Sequence, residues 1–284
     1  MQNWFLLTLM ALLLFGIQRF LYKVSAERNC NTAWTTFAFM GTVTIFSTLS
    51  FCALGQSVHN LRFLLLISLI NSLSFVSGTI ATIEALKYIS TSVAYPLIRL
   101  NTAIVVIFSI WYFGDRLSVF QITGIIIAIT VILLLTRLDD GNRSSTKSPR
   151  RAMLLVIVAL FSGAIAAISS KFAALEVNLL AFMAISYAMS MVVSLCLRKK
   201  LGSVGANHTE ALIIGFFIGL VNFGGFYFLL RALSSGPLSI IIPVTGMYFV
   251  ISIILAFLFY REKLSALRVL AIVLTAFAII LMRL

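Results

Sequence analysis

Arg99 is the residue of this sequence whose type and position suggest the most chemistry. It follows Pro96 by three positions inside a long apolar stretch, where a charged side chain costs at least about 2.5–3.5 kcal/mol and points to function. A guanidinium is always charged and can hold a carboxylate or phosphate through two parallel hydrogen bonds. Glu84 lies on the preceding apolar stretch, within reach of Arg99. Two roles therefore stay open for Arg99, a structural ion pair with Glu84 and an anchor for a negatively charged solute.

Further polar side chains fall inside apolar stretches and are candidates for the same site. Each could instead form an interhelical hydrogen bond, usually worth about 0.6 kcal/mol. Pro96 and Pro243 would kink their helices, and such kinks tend to face a cavity because the freed carbonyls need partners. We predict a gating role for these two prolines. Together with Arg99 and Glu84, the candidate solute-binding residues are Gln18, Asn71, Tyr95, Asn101, Asn222 and Tyr248.

The sequence gives no sign of metal, cofactor or enzymatic chemistry. Cys30, Cys52 and Cys196 lack Cys-x-x-Cys spacing, and His59 and His208 are too few to complete a metal cluster with them. Neither a phosphate-binding glycine-rich loop nor a Gly-x-Ser-x-Gly nucleophile motif occurs. We expect no cofactor, no metal and no enzyme activity.

The elements that must position these residues are membrane-spanning helices. The 284-residue chain is 61% apolar and 10% charged, whereas soluble domains are nearer 45–50% apolar and about 25% charged. This composition excludes a soluble or a disordered protein and predicts an all-α integral membrane protein. A spanning helix needs about 20 mostly apolar residues. The ten predicted spans are residues 3–24, 32–54, 61–88, 91–113, 118–137, 151–174, 178–197, 209–234, 237–260 and 264–283.

Lysine and arginine are distributed unequally between the two faces of this predicted bundle. Fifteen of the 21 lie near the connections that follow odd-numbered spans, and five lie on the opposite face. We call the first of these the basic face. The positive-inside rule places the basic face in the cytoplasm and both chain termini outside. The net charge of +13 is then explained by membrane orientation, and no nucleic-acid partner is expected.

The sequence repeats itself after a shift of 147 residues. Pro96 aligns with Pro243, and Asp115-Arg116 aligns with Glu262-Lys263. Over residues 85–136, 11 of 52 aligned positions are identical. With five spans per half, the second half would insert upside down, as in many transporters that hold solute near the bilayer midplane. We therefore divide the chain into a first five-helix repeat (1–137), a polar linker (138–150) and a second five-helix repeat (151–284).

Matched motifs in the two halves give the chain a family resemblance. ALKYISTSVAYPL begins at residue 85 and ALSSGPLSIIIPV at residue 232, and the turns FGDRLS and YREKLS begin at residues 113 and 260. In these features the whole chain resembles the EamA family of the drug/metabolite transporter superfamily. The resemblance implies a small-metabolite carrier, with spans 1–4 and 6–9 around a central cavity. Relatives are described with both termini inside the cell, opposite to the charge count.

The expected function is transport of small polar metabolites, anionic or zwitterionic and amino-acid-like, by alternating access. Export is the expected direction. Two alternatives stay open, a non-transporting membrane protein and a lipid-linked sugar flippase built on the same scaffold. The expected partners are a small-molecule solute and the lipid bilayer. We expect a multi-pass protein of the plasma (inner) membrane that is a monomer or a weak homodimer.

Overall fold

The computed structural model describes residues 3–28, 30–58, 60–85, 97–136, 149–197, 208–260 and 266–284. Tyr95, Pro96 and linker residues 138–148 lie outside the described residues. The described chain is helical. Its helices are α1 (Asn3–Glu27), α2 (Thr32–Ala53), α3 (Leu61–Ala85), α4 (Asn101–Phe108), α5 (Val119–Thr136), α6 (Pro149–Glu176), α7 (Leu179–Leu197), α8 (His208–Ser235), α9 (Leu238–Gly246), α10 (Phe249–Tyr260) and α11 (Ala266–Arg283).

The helices follow the predicted spans closely because each span is a local run of apolar residues. Within the described part of the chain, six helical segments are long and apolar enough to cross a membrane, and four more are apolar but shorter. Helix α4 continues as a π-helical turn over Ser109–Phe113 and stops at Gly114, whose φ of 68° is left-handed. A glycine adopts that conformation without steric cost. The structure thus confirms the all-helical membrane fold, while the count of ten spans stays a prediction.

One predicted span, residues 237–260, is broken into α9 and α10. At the break the N–H of Met247 donates to the carbonyl of Val244 at 3.1 Å, and that of Tyr248 donates to Thr245 at 3.2 Å. Both bonds reach back three residues instead of the four of an α-helix. Pro243, which has no N–H to donate, lies inside α9 just before this break. The break places Tyr248 at the junction of the two helices.

Contacts between the two halves come in matched pairs. The 147-residue shift relates α1 to α6 and α3 to α8. Helix α3 packs on α6, and the equivalent pair, α8 and α1, also packs together. The pairings of α2 with α8 and of α3 with α7 are equivalent in the same way. The contacts of α2 with α7, α4 with α9 and α5 with α11 each map onto themselves. This is the contact pattern of two repeats related by a two-fold rotation.

Glycines separated by the 147-residue shift lie at equivalent close approaches. A Cβ added at Gly16 would lie 2.9 Å from the carbonyl of Tyr248, and one added at Gly163 would lie 2.4 Å from the amide of Asn101. Tyr248 and Asn101 are themselves separated by 147 residues. At Gly16 any side chain would overlap Cβ of Ile251 and the Tyr248 backbone, whereas at Gly163 it would meet the end of the Asn101 side chain. The repeat therefore extends into α1 and α6.

Matched asparagines begin the second helix of each half. The Asn31 side chain accepts hydrogen bonds from the N–H groups of Ala33 and Trp34, at 3.1 and 3.3 Å. Asn178, 147 residues later, accepts from Leu180 and Ala181 at 3.0 and 3.1 Å. Each asparagine satisfies N–H groups that have no partner within the helix. Both helices therefore start at positions fixed by the repeat.

Large apolar side chains cover the outside of the bundle. Leu6, Ile107, Phe259 and Ile280 are each at least 60% exposed. A soluble monomer rarely exposes so much contiguous apolar surface, whereas a bilayer solvates it. Hydroxyl groups within the helices donate to carbonyls four residues earlier, as Thr42 does to Ala38 at 2.7 Å. Such bonds keep hydroxyl groups satisfied in a membrane.

Candidate functional site

A cavity of about 890 Å³ lies between the two halves. Helices α1, α2 and α3 of the first half and α6 to α9 of the second contribute to its wall, and Tyr248 lies at the α9–α10 break. Pockets for small molecules are typically about 300–1,000 Å³. The wall is mainly aromatic and aliphatic, with a minority of polar groups. The polar lining residues are Gln18, Arg19, Tyr22, Thr36, Asn71, Thr79, Ser170, Ser186, Tyr187, Ser190, Ser194, Asn222 and Tyr248.

The cavity occupies the half of the bundle nearer the basic face. Its lining residues on α2 are confined to positions 33–40, at the start of the helix, and those on α7 to positions 186–195, towards its end. These parts of the helices adjoin the α1–α2 and α7–α8 connections. Phe75 and Leu195 on the wall are 46% and 44% exposed. The cavity is therefore not enclosed, and its lining on α2 and α7 lies nearer the basic face.

Two arginines converge on Tyr248 at the cavity wall. The Cζ atom of Arg19 lies 4.8 Å from the centroid of the Tyr248 ring, and that of Arg99 lies 5.2 Å from it. An Nη atom of Arg99 also donates a hydrogen bond to the Tyr248 hydroxyl. Arg19 lies 5.6 Å from the ring of Tyr22 as well. We call Arg19, Arg99 and Tyr248 the arginine–tyrosine cluster.

A chain of hydrogen bonds crosses the cavity wall beside this cluster. The Tyr187 hydroxyl donates to Oδ1 of Asn222 at 2.6 Å, and Nδ2 of Asn222 donates to Oε1 of Gln18 at 3.0 Å. Nε2 of Gln18 then donates to the Tyr22 hydroxyl at 3.0 Å. Both amides are satisfied by this chain, which we call the amide relay. Helices α1, α7 and α8 are joined through it.

Asn71 joins α3 to α6 on the other side of the cavity. Its Nδ2 donates to the carbonyl of Ala166 at 3.0 Å and lies 2.9 and 3.1 Å from the hydroxyls of Ser169 and Ser170. These bonds link two helices, which is the role weighed against solute binding for each polar residue in a span. Asn71 and Ser170 still line the cavity.

The structure brings together some of the predicted site residues and leaves others apart. Among the described residues, Gln18, Asn71, Asn222 and Tyr248 line the cavity, and Arg99 contacts Tyr248. Asn101 and Glu84 are outside the lining. Asn101 lies against Gly163 of α6. Pro243 is buried and does not line the cavity either. The ion pair of Glu84 with Arg99 stays a prediction, as does any role of Tyr95 and Pro96.

Arg19 is a lining residue that the sequence analysis assigned to the basic face. It precedes one more apolar turn, Phe20-Leu21-Tyr22, and α1 continues to Glu27. That extra turn holds Arg19 within the helix, where it reaches the cavity. The adjacent polar pair Gln18-Arg19 inside an apolar run is the signal that could have identified it. Tyr22, near the end of its span, and Tyr187, in the middle of α7, were also missed.

The described cavity lining does not reach the opposite face, where one polar contact joins the two halves and others hold the α8–α9 connection. The ammonium group of Lys171 is buried and donates to the carbonyls of Leu233 and Gly236, at 2.6 and 2.9 Å. Lys171 is therefore held inside the protein, although it lies near the end of its span. Nearby, the Asn178 amide donates to Oε1 of Gln56 at 2.6 Å. The Asn178–Gln56 contact joins the second half to the first on that face, whereas Lys171 holds two parts of the second half together.

The profile of the EamA-like transporter family matches residues 2–137 and, a second time, residues 150–284. The chain belongs to the EamA family. This membership confirms the resemblance carried by the matched motifs of the two halves. It also confirms the two-repeat architecture of a drug/metabolite-type membrane transporter.

Comparison with solved structures finds a similar fold over the full length. A crystal structure matches with a TM-score of 0.77, covering 98% of this chain and 96% of the other. The two sequences are 15% identical, so the similarity shows a shared fold alone. No curated protein matches this EamA chain. Among the described residues, no group of three His, Cys, Asp or Glu side chains is placed to hold a metal ion.

Proposed function

We propose that this EamA protein carries small polar metabolites, anionic or zwitterionic, across the plasma (inner) membrane by alternating access. The observation that carries the proposal is the cavity of about 890 Å³ whose wall is shared by both repeats. A site between two halves changes its accessible face when one half rocks against the other. The arginine–tyrosine cluster supplies positive charge at this site.

The location of the cavity and the charge distribution support export as the direction of transport. The cavity adjoins the basic face, which the positive-inside rule places in the cytoplasm. In this orientation the site lies towards the cytoplasm, as the starting state of an exporter requires. The contact of Asn178 with Gln56 then joins the halves on the outer side, and Lys171 holds the α8–α9 connection there. We propose ten spans, a monomer or weak homodimer, and no enzyme activity.

Solute flux in proteoliposomes tests the proposal. Purified protein is screened for uptake and counterflow of labelled amino acids, organic acids, nucleobases and sugars, with a lipid-linked sugar included to detect a flippase. Ser190→Trp places a large ring in the cavity, because Ser190 is buried and lines the wall. We expect it to abolish flux.

The matched control is Val192→Trp, two residues away on the same helix. Val192 is 56% exposed and is not among the lining residues, so flux should be retained. Ser190→Val serves as a smaller change should the tryptophan variant elute as aggregate. Equal flux through wild type and both Ser190 variants would exclude this cavity as the route. Absence of flux for every solute would exclude the carrier function itself.

A further inference from the structure

Three buried serines lie on helices α2, α3 and α7, of which α2 and α3 each pack on α7. Ser47 and Ser68 belong to the first half of the chain, and Ser186 belongs to the second. They are 0%, 0% and 2% exposed, and no described group forms a hydrogen bond with any of the three hydroxyls. A buried polar group without a partner costs free energy and is rare in native proteins. We call these three residues the serine cluster.

The register of α2 on α7 places Ser47 beside Ser186. The Ser194 hydroxyl donates to the Met40 sulfur at 3.7 Å. The 147-residue shift converts this pair into Ser47 and Tyr187, so the two-fold relation of the halves puts Ser47 level with Tyr187 and its neighbour Ser186. Ser47 follows Met40 by seven residues, about two turns of helix, and therefore faces α7 as Met40 does.

The register of α3 on α7 brings Ser68 to the same level. In the equivalent pair of helices, α8 and α2, a Cβ added at Gly215 would lie 2.7 Å from Cβ of Ala38. The 147-residue shift relates Gly215 to Ser68 and Ala38 to Ile185. Ser68 therefore lies against α7 at Ile185, the neighbour of Ser186. The three hydroxyls thus converge on one place between the two halves.

The serine cluster lies at the floor of the cavity, the end farthest from the basic face. Of the α7 residues that line the cavity, Ser186 is the nearest to the start of that helix. Ser47 and Ser68 are outside the described lining and lie against α7 at this end. Ser47 is also the repeat equivalent of Ser194, which lines the cavity. If the two halves exchange their roles, Ser47 takes the position in the lining that Ser194 has in this structure.

We propose that the solute route continues past the cavity floor through the serine cluster, which is closed here and takes up water when the site opens to the face opposite the basic face. This inference rests on the proposed carrier function and adds to it the residues of the second part of the route. In the closed state the three hydroxyls are buried without a described partner, whereas in the open state water satisfies them. The cluster therefore lowers the cost of separating α2 and α3 from α7.

Cysteine accessibility tests the inference. Cys30, Cys52 and Cys196 are first replaced by serine, and Ser47→Cys and Ser68→Cys are then introduced singly. Each variant is exposed to a small membrane-impermeant methanethiosulfonate from one side of the membrane at a time, in intact cells and in inverted vesicles. The reaction is followed with and without the amino acids, organic acids, nucleobases and sugars of the flux screen. We expect both cysteines to react from the face opposite the basic face, because a thiol reacts only where the reagent reaches it.

Two further cysteines are the controls. Asn60→Cys, exposed in the α2–α3 connection, marks the face opposite the basic face. Ala128→Cys is the matched buried control, because Ala128 is 0% exposed on α5 and outside the lining. From the marked face, Ser47→Cys and Ser68→Cys should react about tenfold or more faster than Ala128→Cys, since opening is expected at the cluster and not between α5 and α11.

The outcomes separate this inference from the carrier function. The inference is wrong if neither cluster cysteine reacts from the marked face, if both react equally fast from the basic face, or if Ala128→Cys reacts as fast as they do. Flux through the cysteine-free protein without reaction at the cluster would overturn the inference and leave the carrier function standing. Reaction at the cluster without flux of any solute would support the opening at this place and overturn the carrier function.

Discussion

The carboxylate of Asp115 accepts two hydrogen bonds from Ser239, one from the backbone N–H at 3.1 Å and one from the hydroxyl at 2.6 Å. Ser239 is buried in the first turn of α9, where N–H groups have no partner within the helix and the helix dipole favours a negative charge. Lys171 donates to the carbonyls of Leu233 and Gly236 on the other side of the same connection. An acid of the first half and a base of the second thus hold the α8–α9 connection.

Asp115→Ala should destabilise the protein. It removes the acceptor of two buried Ser239 donors and of the Ser109 hydroxyl, and a buried donor left without a partner costs about 1–3 kcal/mol. Thermal unfolding in detergent measures the change. Glu210→Ala is the control, since Glu210 is 40% exposed in its 3.8 Å pair with Arg28 and such pairs contribute about 0–1 kcal/mol. Equal melting temperatures for both variants would show that the Asp115–Ser239 contact does not stabilise the fold.

Gly16→Ala should destabilise the packing of α1 on the α9–α10 break. Its new Cβ would lie 2.3 Å from Cβ of Ile251 and 2.9 Å from the Tyr248 carbonyl, and overpacking of this kind costs about 1–3 kcal/mol. Gly41→Ala is the control within α2, because its nearest contact is the Met191 sulfur at 3.8 Å. The control should be neutral or slightly stabilising, since alanine favours helix by about 1 kcal/mol. A Gly16→Ala protein that melts like Gly41→Ala would contradict the close approach.

Tyr187→Phe should weaken the amide relay. The change removes one donor to Asn222 at 2.6 Å and keeps the ring contacts of Tyr187 with Phe39 and Phe226. A loss of about 0.5–1.5 kcal/mol is expected from one hydrogen bond. Tyr112→Phe, at a tyrosine that is 56% exposed, is the matched control and should melt like wild type. If Tyr187→Phe melts like this control as well, the relay makes no net contribution to stability.

The orientation of the chain can be decided with fused reporters. The charge distribution predicts that a reporter active only in the cytoplasm is silent when fused at Leu284. The same reporter fused within linker residues 138–148, after truncation, should be active. A bright signal at Leu284 would reverse the orientation and the proposed direction of transport, without affecting the helices or the cavity.

The helices could be predicted from the sequence because a span is a local property. Runs of apolar residues fix where α2, α5 and α8 begin and end to within a residue or two, and these bounds need no knowledge of the neighbours. The break at Tyr248 was not predicted in this form. Pro243 indicated a kink, but the sequence does not show which N–H groups donate to the carbonyl three residues earlier instead of four.

The site was harder to predict because it depends on pairings between distant helices. Gln18 and Asn222 were each recognised as polar residues in spans, yet only the packing of α1 on α8 shows that they contact one another. Arg19 was counted with Lys23 and Arg28 on the basic face, although its helix turns it towards Tyr248. Side chains of the same type at the same depth can face lipid, a partner or a cavity, and hydropathy does not distinguish these three.

The contact between Arg99 and Tyr248 crosses the boundary between the two repeats. At the positions equivalent to Arg19 and Arg99 the second repeat has Ala166 and Gly246. The two halves therefore share a fold, but only the first supplies arginines at these positions. If one half moves against the other, this contact must stretch or break. A solute that binds the Arg99 guanidinium in place of the Tyr248 hydroxyl would therefore also remove a contact between the two halves. Under the proposed carrier function, solute binding would then permit the movement of one half against the other that transports the solute.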